Sequence, residues 1–366
     1  MARKTWQTAA DWQTGVAENL EITDAGVKLA RPEPAQFTRA SEAYKSDGTL
    51  VASGVPRYEG AGVLIEEGTT NLIPLAKQKF EGWTAYSGAE VTLTQGIAVP
   101  EWGASDATRI QTSGGTHINK YYIAVEVPLA GDLRAERIYV KNTGDKTVRV
   151  HSNVGAVSVD VPPGESKLVK LENIVGDGAG YMQISFRALN IADSLDFIAW
   201  RPMSEAKPLC TSWTDGTRSP ESLSVPVPFA PAQGGEISFS VEVNDACKRR
   251  VVGQYPRLIE MTRAIGGAGM YVAHSESVAQ FTMRTLNDAG EYTQTVFSDS
   301  LIPNGTRELK IRQTLTAVIL YCDGQPIATT DNPALPSGWG RAYPLSSATG
   351  TYQAGTTVGN LRMVVG

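Results

Sequence analysis

Histidine, cysteine and paired carboxylates most often carry chemistry, and the first two are scarce in this chain. The three histidines, His117, His151 and His274, stand far apart and show no metal-ligand spacing. Each is expected to face solvent or to be satisfied internally. The cysteines Cys210, Cys247 and Cys322 form no CxxC pair, which argues against a zinc ribbon or a redox pair. Free thiols in a reducing cytosol are the expectation. The HExxH, GxSxG and Walker A patterns are missing, as is a GxGxxG after a strand. The run AIGGAGM (Ala264 to Met270) has the composition of a phosphate loop but lacks its Lys-Ser/Thr. It reads instead as a hairpin tip or a close backbone approach. Thirty-eight acidic residues could supply a glycosidase pair, yet no nucleophile–base signature accompanies them. No catalytic residue and no metal ligand is assigned, and the chain reads as a non-enzyme. No cofactor is expected. The loops around Asp177 to Gly180 and Asp288 leave room for a structural calcium ion, but an ordinary turn is the expected reading of each.

Aromatic residues offer more. Sugar rings have apolar C–H faces that stack on flat side chains, while polar neighbours fix the hydroxyls. Trp83, Tyr86 and Trp102 fall in or beside expected loops, with Tyr121 and Tyr122 at a strand start. Trp339 and Tyr343 lie in the Pro/Gly-broken ALPSGWGRAYP. The candidate ligand-binding set is therefore Trp83, Tyr86, Trp102, Trp339 and Tyr343. A sandwich core also takes tryptophans, and Trp200 in LDFIAW is expected to be one of them.

Period-2 alternation governs the elements that must position these side chains. EISFSVEV sets Ile237, Phe239, Val241 and Val243 on one face, with Glu236, Ser238, Ser240 and Glu242 on the other. TVRVHS, AVSVDV and YMQISF repeat the pattern. Asn142-Thr143-Gly144-Asp145, Pro162-Pro163-Gly164 and Asp323-Gly324 supply the turns. Helical periodicity is nearly absent, so the fold is expected to be all-β, with helix only in short turns. The net charge of −5 and scattered basic residues disfavour a nucleic-acid grip. No apolar run is long enough to cross a bilayer as a helix. The first residues, MARKTWQTAADWQ, lack the apolar core of a secretory signal, so synthesis in a cytoplasm is expected.

Punctuation divides the chain into four parts. Residues 1–70 are expected to be an extended docking segment holding Trp6 and Trp12, and 71–206 a β-sandwich. Residues 207–232, rich in Pro, Ser and Thr, read as a connector, and 233–366 as a second sandwich.

The segment FTRASEAYKSDGTLVASGVPRYEGAGVLIEEGTTNLI resembles a block found in tailed-bacteriophage structural proteins. Its matching residues are Phe37 to Ser41, Asp47-Gly48, Pro56-Arg57, Leu64 to Glu67, and Thr70 to Leu72. The stretch from Asn71 to Gln111 is similar to the start of a carbohydrate-binding-module-like jelly roll, with Trp83, Pro100, Gly103, Ala107, Arg109 and Ile110 in place. CTSWTDGTRSPESLSVP resembles the family's closing block through Thr211-Ser212, Thr217-Arg218, Leu223 and Val225. The last part is similar to concanavalin A/laminin-G-like sandwiches. The resemblance implies a virion component (tail, head-fibre, collar or decoration protein) assembled in a host cytoplasm and displayed for attachment to host-surface glycans. A purely structural decoration protein without sugar binding is the second reading, and a glycan-degrading enzyme the third. Other virion proteins are the implied partners, and a trimer is the implied oligomer.

Within the block, Arg39, Arg57, Glu66 and Glu67 are close in sequence. We expect Arg39 or Arg57 to pair with Glu66 or Glu67 as a partly buried clasp, with solvated surface charge as the alternative.

Overall fold

The structure, a computed structural model, describes residues 36–45, 49–59, 62–66, 68–125, 130–176, 178, 182–207, 209–227, 229–248, 255–346 and 356–365. Trp6, Trp12, the Asp47-Gly48 turn, Glu67 and Asp177 lie outside the described residues. The fold is all-β, built from antiparallel sheets. Among the described residues the helical elements are single 3-10 turns such as Leu75–Lys77 and Pro100–Trp102.

The chain divides into two compact units. One contains Ala43–Leu50 and Thr69–Arg218. It is a sandwich of two five-stranded sheets. The first runs in the order Ser158–Val161, Val148–Ser152, Met182–Arg187, Asn119–Val125, Thr84–Ala85. The second runs Ser166–Val175, Leu133–Asn142, Leu195–Glu205, Ala104–Gly114, Ala89–Val99. Consecutive strands pass back and forth between the sheets, as in a jelly roll. Val148, Val150, Ile184 and Phe186 meet Ile138, Val140, Phe197 and Ala199 in the core between them.

The other unit takes its described residues from those up to Glu42, from Val51–Gly68, and from Ser219 onward. It packs two seven-stranded sheets in a concanavalin-like sandwich. One reads Gln36–Thr38, Ser222–Pro226, Trp339–Pro344, Arg257–Arg263, Ala268–His274, Gln280–Leu286, Tyr292–Ser298. The opposing sheet centres on Gly235–Val243, flanked by Gly305–Gln313 and Thr356–Val365. Its edge beside Thr356–Val365 is Gly62–Ile65 and then Tyr58–Glu59. In Gly235–Val243, Ile237, Phe239, Val241 and Val243 are each at most 1% exposed. Burying side chains of this size contributes about 1.5–3 kcal/mol apiece.

Two sequence boundaries differ from this arrangement. The expected docking segment supplies strands to both seven-stranded sheets. The expected connector supplies Thr217–Arg218 to one unit and Ser222–Pro226 to the other. Proline and serine content suggested a linker, but Leu223 and Val225 alternate with serines and are buried.

Candidate functional site

The charged block around Arg39 is folded into a closed network. Arg57, with no exposed surface, donates through Nε and Nη2 to the two carboxylate oxygens of Glu221 at 2.8 and 2.6 Å. Its Nη2 also reaches Glu66 at 2.8 Å. Arg39 donates to Glu221 at 2.8 Å and to the carbonyls of Ser41, Val51 and Ala52. The Glu66 and Glu221 backbones are tied together as well: Glu221 N–H donates to the Glu66 carbonyl, and Glu66 N–H donates to the Glu221 carboxylate. Burial alone would lower the Arg57 pKa, but the Glu66 and Glu221 charges outweigh it and raise it above the ordinary value. Two guanidinium groups against two carboxylates leave no net buried charge. The central partner, Glu221, lies 164 residues from Arg57 and was not visible in the sequence.

A second knot, in the other unit, uses the neighbouring block residues. Asn71 donates to the carbonyls of Pro202 and Thr214 and accepts from Ile73 N–H and Ser204 N–H. Buried Glu205 accepts from the Thr69 hydroxyl and from Thr211 N–H and hydroxyl at 2.7–2.8 Å.

Three of the five candidate aromatics belong to the interior, which corrects the expectation for them. Trp83 is 6% exposed, stacks near Phe186 and Tyr121, and donates its indole N–H to the Lys77 carbonyl. Trp102 lies parallel to Trp200, at a centroid distance of 6.5 Å, in a small aromatic cluster with Tyr139. Trp339 is packed in the core and donates to Gln313 Oε1 at 2.8 Å. Flanking glycines and prolines gave these indoles the appearance of loop residues. Each indole instead folds inward and satisfies its N–H or stacks within a cluster. Tyr86 is half-buried beside His117 and Tyr122. Tyr343 is half-buried on a sheet face.

His151 and His274 are buried and His117 is half-buried. His274 has no exposed surface and sits 3.2 Å from Asp299. His117 Nδ1 accepts from Asn119 N–H. Among the described residues no group of three His, Cys, Asp or Glu side chains is placed to hold a metal ion.

Tyr343 marks the more informative surface. Directly opposed residues on adjacent strands share a face. The register therefore runs Tyr343, Glu260, Tyr271, Arg284, Gln294 in one row across five strands. The residues next to them in sequence, Ile259, Met261, Met270, Val272 and Met283, are core, so the row is on the outer face. Tyr255, Arg257, Tyr271, Ser275, Thr282 and Arg284 line a cleft of about 380 Å³ there. That volume is in the range of small-ligand sites. Arg257 is ion-paired with Glu260 and lies 4.4 Å from the Tyr271 ring centroid. Arg284 lies 4.5 Å from the Tyr292 ring centroid and donates to Gln294. Tyr271 and Tyr292 are thus braced by guanidinium contacts, and Tyr255 at the cleft is 40% exposed. The cleft combines aromatic faces, fixed donors and two hydroxyls, the groups that hold a sugar ring. Arg257, Tyr271 and Arg284 were missed in the sequence. Their signal was a large polar or aromatic residue at the outward position of three successive strands.

No protein-family model matches the chain, and no curated protein matches it. Solved structures with some likeness include a galectin of Caenorhabditis elegans, 10% identical over 39% of this chain and 89% of its own, with a TM-score of 0.29. The receptor-binding domain of the botulinum neurotoxin C/D mosaic serotype is 9% identical over 40% of this chain and 37% of its own, with a TM-score of 0.29. The binding domain of Paraclostridial Mosquitocidal Protein 1 is 14% identical over 40% of each chain, with a TM-score of 0.29. This chain therefore spans less than half the length of either of these two binding domains.

Proposed function

We propose that this protein binds glycans through the outer face of the seven-stranded sheet that carries Tyr271 and Arg284 and does so as an attachment component of a bacteriophage particle. The cleft lined by Tyr255, Arg257, Tyr271, Thr282 and Arg284 carries the reading. A sugar ring packs on Tyr255 while Arg284, Ser275 and Thr282 hold its hydroxyls. The virion setting rests on the resemblance of Phe37 to Leu72 to phage structural proteins. Single-site sugar affinity is weak and is raised by multivalency, so a trimer suits the role. A glycan array on the whole protein tests the cleft. Specific signals that fall about tenfold or more in both Y255A and R284A support it, whereas signals indifferent to both remove the cleft from the function. Mass spectrometry of purified particles tests the setting, and light scattering the trimer.

A purely structural role is the second reading, and one observation favours it. The residues shared with the phage block, Arg39, Arg57, Glu66 and Asn71, are committed to buried hydrogen bonds rather than to any open face. An array blank for the native protein would leave this reading standing.

A further inference from the structure

The other unit carries a second polar face, on the outside of the sheet built around Met182–Arg187. Its register gives a row Arg187, Arg149, Asp160, with Asn119 set against Arg187 across a β-bulge, and a neighbouring row Thr84, Tyr122, Ser185, His151, Ser158. Val150, Ile184 and Phe186 point into the core, which places both rows on the opposite side. The face is polar yet largely closed to water: Ser185 is fully buried, Asn119 is 4% exposed and His151 is 7% exposed. Tyr122 and Tyr86 stand at one side, ring centroids 5.6 Å apart and edge to face.

Two groups on this face lack what their chemistry demands. Arg149 is neutralised by Asp160 through two bonds of 2.7 and 2.9 Å. Arg187, half-buried next to it, has no carboxylate partner among the described residues; its Nε donates to the Ser185 hydroxyl at 3.3 Å. Burial, and then the Arg149 charge, lower its pKa. Asn119 Oδ1 is buried without a hydrogen-bond partner. A half-buried cation without a counter-ion and an orphaned amide oxygen are each unfavourable until a ligand completes them. His151 is held neutral at physiological pH, its pKa lowered to about 4 by burial and by the Arg187 and Arg149 charges. It therefore adds no second unpaired charge.

We propose that this face binds an acidic sugar: Arg187 receives the carboxylate, Asn119 Oδ1 accepts a sugar hydroxyl, and Tyr86 and Tyr122 pack against the ring. The site lies in a different unit from the Arg257–Arg284 cleft and stands whether or not that cleft binds glycan. An anion and an aromatic platform together specify a uronic-type sugar over a neutral one.

Calorimetric titration of the whole protein with a galacturonate tetrasaccharide, and with its methyl ester, tests this. The ester keeps the rings and removes the charge. The acid form is expected to bind about tenfold or more tightly than the ester, and R187Q to lose about tenfold or more toward the acid alone. R312Q, at a surface arginine outside both sites, is expected to leave this binding unchanged. The His151 ring proton resonance is expected to move with the same midpoint as the heat. Equal affinity for acid and ester, no binding of the acid, or loss in R312Q rather than R187Q would each overturn the proposal. Should R187Q fail to fold, the acid–ester comparison and the His151 resonance on the native protein decide it.

Discussion

Glu221 is the residue on which the clasp depends, since both arginines converge on its carboxylate. Removing it leaves Arg39 and Arg57 buried, close together and alike in charge. Removing Arg39 still leaves Arg57 paired with both glutamates. Breaking one partner of such a network costs about 3–5 kcal/mol. E221A is therefore expected to lower thermal stability by at least that much, and R39A by less; calorimetric unfolding of both variants checks the order. Glu136 presents the opposite case. It is 2% exposed, and burial drives its carboxyl well above the ordinary 4.5, with the Ser152 hydroxyl opposing. The folded state keeps this proton where the unfolded chain releases it. Stability from this group is thus present below pH 4.5 and lost as pH rises toward the folded value. E136Q removes that loss. Its melting temperature is expected to match the native protein near pH 4 and to exceed it increasingly toward pH 8, with a gain of about 1–3 kcal/mol. Parallel pH profiles that never diverge would rule this out.

At the scale of elements, alternation was the legible part. The strand Gly235–Val243 alternates buried and half-exposed side chains along most of its length, as its sequence says. The turn at Asp323-Gly324 has positive φ at both residues, as a two-residue hairpin requires. What alternation could not give was the destination of residues between strands. Trp339 sits among glycines and prolines, so it read as a surface aromatic. In the structure it is core because the chain leaves a space for it, and Gly269 makes that space: a Cβ there would stand 2.7 Å from the Trp339 ring and 2.9 Å from the Arg263 side chain. AIGGAGM thus combines a tight turn at Gly266 and Gly267 with a close approach at Gly269. G269A is expected to cost about 1–3 kcal/mol by overpacking, read as a fall in the denaturation midpoint at unchanged slope. The Glu221 clasp and the Arg257–Arg284 cleft were illegible for a different reason. Both depend on which strands become neighbours, and one sequence carries the strand pattern without the pairing.

At the scale of the whole molecule, the two units differ in how the chain composes them. Every strand of the two five-stranded sheets lies between Thr84 and Glu205, a continuous stretch. The seven-stranded sheets instead need Gln36–Thr38, Tyr58–Glu59, Gly62–Ile65 and Ser222–Pro226, drawn from both sides of that stretch. Without them Val63, Ile65, Leu223 and Val225 are missing from the core. The Trp339–Pro344 and Thr356–Val365 strands would also become bare sheet edges, which invite edge-to-edge association. The Arg57–Glu221 network would be lost with the segments that carry it. A fragment of residues 233–366, the second sandwich as its composition suggests it, is therefore expected to be insoluble or to lack a cooperative transition. A fragment of residues 69–218, which retains the Asn71 and Glu205 knots, is expected to unfold cooperatively. Dispersed amide resonances and a sharp melting transition in the 233–366 fragment would show that the remote strands are dispensable. They would also detach the segments Gln36–Thr38, Tyr58–Glu59 and Gly62–Ile65 from the folding of the sandwich they complete.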